Sequence, residues 1–155
     1  MLVTANNFRG LTAISIATTG NDRVDLPAKK AIEEAIAKYE PEYFNYMFGA
    51  TFYAYLLAYT GTDNTIISIK SYLTEAATCY IYNEYMRDYK GSYNGQTVTN
   101  SEQEGNPAQQ IIVKAIEVSN RMADCNRNAI GLFTDELWNT YSVYVDEQFL
   151  NKQLC

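Results

Sequence analysis

The side chains available for chemistry in this chain are 18 Asp and Glu, 12 Lys and Arg, three cysteines and no histidine. Without histidine there is no Ser-His or Cys-His nucleophile pair, no imidazole metal ligand, and none of the commonest general base. Carboxylate-only chemistry needs a constellation, and the sequence does not spell one. Glu33, Glu34, Glu40 and Glu42 fall near Lys29, Lys30 and Lys38 on a helical pattern, which predicts solvated charge pairing at the surface. Glu84 stands in a tyrosine-rich helix end, where a hydrogen bond to Tyr or Arg is expected rather than catalysis. Arg121, Asp124 and Arg127 read as a local ion-pair ladder. Cys79, Cys125 and Cys155 are odd in number, widely spaced and free of CxxC, which predicts reduced thiols and neither a disulfide framework nor a zinc site. "GSYNG", 91–95, is no phosphate loop, because no GK[ST] follows it and no strand-to-helix unit surrounds it. The expectation is a protein that is not an enzyme and holds no cofactor or metal.

The charge balance points the same way. The net charge is −6. Residues 91–110 hold Glu102 and Glu104 without Lys or Arg. Residues 133–155 hold Asp135, Glu136, Asp146 and Glu147 against Lys152. Together the two segments carry five of the six excess negative charges. Gripping nucleic acid requires clustered cations to replace phosphate counterions, and no such cluster exists. DNA could pass this protein without being held. No apolar run reaches membrane-spanning length. The first ten residues lack a basic-then-apolar secretion pattern, so the expected setting is the inside of a cell.

The elements that position these groups read as mainly α. The 155 residues suit one domain, 1–155, built as a helical bundle of about five or six helices. "TAISIATT", 12–19, reads as a short strand or extended arm. A first helix should begin near Pro27, with Ile32, Ala35, Ile36 and Tyr39 in its apolar stripe, and Pro41 should interrupt it. A short second helix would cover "PEYFNYMF" up to Gly49, and "ATFYAYLLAY" a third. A long helix spans about 65–89, another 107–130 with Asn106 as cap and Pro107 at its first position, and a last one starts at the Thr134 cap.

Two features remain unabsorbed by a simple bundle. Tyrosines crowd the helices: Tyr39, Tyr43 and Tyr46 share a face near the start, and Tyr82 and Tyr85 sit near the end of the long helix. They fill a core with hydroxyls reaching the surface, or they pack against a neighbouring subunit, where Tyr is enriched. Tyr43, Tyr46, Tyr82 and Tyr85 are therefore interface candidates. The second feature is the polar stretch 91–106, with an Asn94-Gly95 pair suited to a tight hairpin turn and only Tyr93 and Val98 as sizeable apolar side chains. It predicts a projecting loop or β-hairpin arm. Burial of two side chains cannot offset the ordering of sixteen residues, so the arm should find its partner outside its own subunit, with Tyr93, Asn94, Gly95 and Val98 as contact candidates.

"TANNFRGLT", "IEEAIAKYEPEYFNYMFGATFYAYL", "YNEYMRDY" and "TVTNSEQEGNP", in this order, resemble small head-to-tail connector proteins of tailed bacteriophages. The resemblance is to the ring-forming adaptor type in phages of gut Bacteroidetes, including crAss-like phages, and covers most of the chain. "RMADCNRNAI" departs from the family's polar-to-tryptophan phrase after the loop. The resemblance implies a helical subunit of a homo-oligomeric ring, commonly twelvefold, at the head-tail junction of the virion. Its partners would be the portal protein above and other neck or tail proteins below, with DNA passing through unbound. A second reading is a small regulatory or protein-binding module acting through its tyrosine-rich helices.

Overall fold

In the computed structural model the described residues are 1–14, 22–92 and 107–141. They form two 3-10 turns, Ala5–Asn7 and Gly10–Thr12, and five α-helices: α1 Asp22–Met47, α2 Ala50–Ala58, α3 Asn64–Ser92, α4 Pro107–Ile130 and α5 Asp135–Tyr141. The architecture is all-α, and no strand occurs among the described residues. The expected strand over 12–19 is not seen at Thr12, which closes the second 3-10 turn; residues 15–19 lie outside the described residues. Residues 91 and 92, read as the base of the arm, are the last turn of α3. The rest of the arm, including Tyr93, Asn94, Gly95 and Val98, lies outside the described residues.

Long helices α3 and α4 pack against each other, and α1 covers α3. The core joins Ile32, Ile36, Tyr43, Phe44, Phe48, Phe52, Leu56, Ile69, Leu73, Ile81, Val118, Cys125 and Ala129. On α4 Val118, Ala123, Cys125 and Ala129 are buried, and Ala115 is exposed. On α5 it is Leu137 that is buried, with Trp138 half-buried and its ring edge-to-face on Phe133 at 5.2 Å. The Thr134 hydroxyl accepts the Leu137 amide at 3.4 Å, the expected cap. The α4 bounds, 107–130, match the expectation.

Pro41 does not end α1. The helix starts at Asp22, five residues before Pro27, and runs through Pro41 to Met47. The reading of two helices split at Pro41 is corrected to one. An interior proline costs about 3 kcal/mol. The turn that follows it buries Tyr43, Phe44 and Met47 completely, and each such side chain returns about 1.5–3 kcal/mol. Burial therefore outweighs the missing backbone bond.

The chain turns at Gly49 instead. Its φ is 84° and ψ 155°, a region open essentially to glycine alone. The Phe48 and Gly49 amides both bond the Phe44 carbonyl, at 2.9 and 3.1 Å, closing α1 before α2 begins. A methyl group at Gly49 would meet nothing within 4 Å, so substitution there tests backbone strain alone. Gly49→Ala is expected to lower stability by about 1–3 kcal/mol, measured by urea unfolding. A midpoint equal to that of the parent would show that the chain turns here without a glycine-specific conformation.

Candidate functional site

The α1 stripe repeats every fourth residue: Ile32, Ile36, Glu40, Phe44 and Phe48 are all buried. A carboxyl group thus sits in the middle of an apolar ridge. Glu40 was read as a surface charge beside lysines, and this is a correction: it is completely buried. Its oxygens are occupied. Oε1 accepts the Leu2 amide at 2.6 Å and the Tyr53 hydroxyl at 2.6 Å, and Oε2 accepts the Val3 amide at 2.9 Å. Three donors meet the cost of burying a carboxyl group. The Tyr53 ring stacks on Phe44 at 4.7 Å with planes 9° apart. One side chain thereby joins α1, α2 and the N-terminal segment.

Of the other carboxylates, Glu33 and Glu34 pair with lysines as expected, whereas Glu42 is half-buried and bonds a tyrosine instead of a lysine. Lys29 and Lys30 pair with Glu33 and Glu34 across one turn, at 3.9 and 3.7 Å. Glu42 accepts the Tyr80 hydroxyl at 2.7 Å. Glu84, with its side chain 13% exposed, pairs with Arg87, and burial pushes its carboxyl above the ordinary range. Arg127 pairs with Asp124 at 3.1 Å, but Arg121 leaves the ladder and donates to Glu75 on α3 at 2.7 Å.

The four candidate tyrosines separate. Tyr43 is fully buried and donates its hydroxyl to the buried Asn126 of α4. It is a core residue and cannot be an interface residue, because burial satisfied by Asn126 leaves it no free surface. Tyr82 is also buried, under the Lys114 ammonium at 5.1 Å from its ring, and this too corrects the expectation. Tyr85 is half-buried against the core. Tyr46 is left 62% exposed. Two turns of helix separate Tyr39 from Tyr46, and the bundle covers only the first part of that face.

Once Glu40 fixes the first residues, the first 3-10 turn lies against α1 and the second against α3 and α4. Val3 and Phe8 are buried beneath them, and the Thr12 hydroxyl donates to the Arg9 carbonyl at 3.2 Å. Between these turns, the α2–α3 connection and the first half of α3 runs a groove of about 740 Å³. The sequence reading did not find it. Its charged lining is Arg9, Lys70, Arg121 and Glu75, and its apolar surface includes Leu11, Ile67 and Cys79. Arg121 is paired with Glu75, while Arg9 and Lys70 form no ion pair among the described residues. Lys70 donates to the Tyr59 carbonyl at 3.4 Å. Tyr59 also braces the connection by accepting the Asp63 amide at 2.9 Å. A Cβ at Gly61 would lie 2.7 Å from that hydroxyl, so a side chain there would have to push the ring tip aside. Groups from four separate segments make this groove, and no local motif announces it.

What the described groups can do chemically is narrow. Burial pushes the thiols of Cys79 and Cys125 up to about 12, with each thiol reinforced by nearby acid groups. Among the described residues no three His, Cys, Asp or Glu side chains are grouped to hold a metal ion. Also among them, no helix is long and apolar enough to cross a membrane. No protein-family model, curated protein or solved structure matches the chain.

Two outcomes check this site. Glu40→Gln replaces one acceptor by a donor facing a backbone amide, and is expected to cost about 1–3 kcal/mol and to speed hydrogen exchange at the Val3 amide. Tyr53→Phe removes only one donor and should cost about 0.5–1.5 kcal/mol. Urea midpoints indifferent to Glu40→Gln would remove Glu40 from its place in the fold. For the thiols, a rise from 9.0 to about 12 means a roughly thousandfold smaller thiolate fraction near neutral pH. Alkylation of Cys79 and Cys125 at pH 8, followed by peptide mass mapping, should proceed only as fast as the chain unfolds. Labelling at the rate of a free thiol would contradict that.

Proposed function

We propose that this chain is a structural virion protein, a head-to-tail adaptor that forms a homo-oligomeric ring below the portal. In this reading it extends the DNA channel and docks later neck or tail proteins. The observation that carries it is the division between core and surface. The buried reactive groups are tied into the fold, whereas Tyr46, Val113, Ile67 and Leu57 stay 62, 48, 47 and 40% exposed. These side chains, one each on α1, α2, α3 and α4, would give such a subunit apolar contact points with which to dock against other proteins. The ordered resemblance of the four sequence segments supplies the direction of the proposal. The net charge of −6 supports it too, since a channel wall that repels phosphate lets DNA slide.

Light scattering of the purified chain, alone and with the portal protein of the same phage, tests the reading. A particle many subunits in size, alone or on portal addition, is expected. Tyr46→Arg should then weaken assembly about tenfold or more, as for a tyrosine at the centre of an interface. Its unfolding free energy should stay within about 0.5 kcal/mol of the parent. A chain that stays monomeric or dimeric with portal present would favour the small protein-binding module instead.

A further inference from the structure

The groove is a cationic feature on an acidic protein. Arg9, Lys70 and Arg121 line it against Glu75 alone, in a chain of net charge −6. Leu11 and Ile67 add apolar surface, 37 and 47% exposed. Such a lining suits an acidic peptide with a few apolar side chains, gripped by charge and by side-chain contact. The chain itself contains one. Residues 93–106 carry Glu102 and Glu104, no Lys or Arg, and the apolar Tyr93 and Val98.

We infer that the groove receives residues 93–106 of a second copy of this chain. The inference rests on the ring-forming reading above and names the contact that would link neighbouring subunits. Reach decides between the same chain and another. The Asn83–Ser119 hydrogen bond at 3.0 Å sets α3 and α4 level with each other as an antiparallel pair. At 1.5 Å of rise per residue, Pro107 then lies about 37 Å along the pair from Lys70. Glu102 is five residues from Pro107, a tether of at most about 18 Å. A chain's own Glu102 therefore cannot reach its own Lys70, even with both side chains extended. The Lys70 end of the groove is thus closed to the chain's own Glu102 and open to that of a neighbour.

The test uses the full chain. Val98→p-benzoylphenylalanine is made in isotopically heavy protein, mixed with light protein and assembled with portal, then irradiated. Mass spectrometry reads where the cross-link lands. Heavy-to-light cross-links to residues 7–12 or 59–79 are expected. Arg9→Glu with Lys70→Glu should lower their yield at least tenfold, and adding Glu102→Lys with Glu104→Lys should restore it. Circular dichroism melting of the Arg9/Lys70 variant should stay within a few degrees of the parent, since neither residue forms an ion pair among the described residues and Lys70 gives up only its 3.4 Å bond to the Tyr59 carbonyl. Cross-links confined to one isotope, cross-links landing on another surface, or a yield untouched by the charge reversal would each overturn the inference. Rings that assemble with cross-links elsewhere defeat the inference alone. Groove cross-links between only two copies, with no ring, defeat the ring reading and leave the inference standing.

Discussion

A single buried carboxyl group ties the N-terminal segment to α1 and α2. Glu40 has no access to solvent, and it is tolerable inside because Leu2, Val3 and Tyr53 each aim a donor at it. The arrangement works in both directions. The carboxyl needs the N-terminal amides, and those amides belong to an extended segment with no helix or sheet to satisfy them. Thr4 and Asn7 then lock the next turn by bonding each other at 2.8 Å. From there the chain is committed to lie across α3 and α4, and Val3 and Phe8 become core residues.

The groove follows from that commitment. One wall is made by residues 7–12, which follow directly on the segment that Glu40 clamps, and the other by α3. Its cations come from residues 9, 70 and 121, far apart in sequence and individually ordinary. The connection between α2 and α3 completes it, held by the Tyr59 hydroxyl and the close approach at Gly61. Stability and any binding at this surface are thus linked through one residue that touches no ligand.

The aromatic rings show how a crowded pattern resolves. Tyr43, Phe44, Phe48, Phe52, Tyr53 and Phe133 form a chain of contacts with centroids 4.7 to 6.4 Å apart. Tilted and edge-to-face geometries dominate, and face-to-face stacking is confined to Phe44 and Tyr53. The hydroxyls of Tyr43 and Tyr53 in this cluster find Asn126 and Glu40, and that of the neighbouring Tyr80 finds Glu42. A tyrosine of this bundle is a core residue when a polar partner waits at its tip. Tyr46, at the edge, stays 62% exposed.

The sequence by itself determined the all-α class, the extent of α4, the Thr134 cap, the turn near Gly49 and the surface pairing of Glu33 and Glu34. These are local: periodicity, capping and φ freedom act within a few residues. Tertiary structure decided the continuity of α1 through Pro41, because burial of Tyr43, Phe44 and Met47 outweighs a local rule. It also decided the fate of Glu40. The signal was present, since Glu40 stands in the i, i+4 ridge of Ile32, Ile36 and Phe44, but a carboxyl beside lysines reads as exposed until its donors are known. Those donors lie at residues 2, 3 and 53, and only folding brings them together. The same holds for the groove and for the division of Tyr43 and Tyr82 from Tyr46. Burial of a long side chain depends on which helix covers it, and that is a property of packing at sequence distances no periodicity encodes.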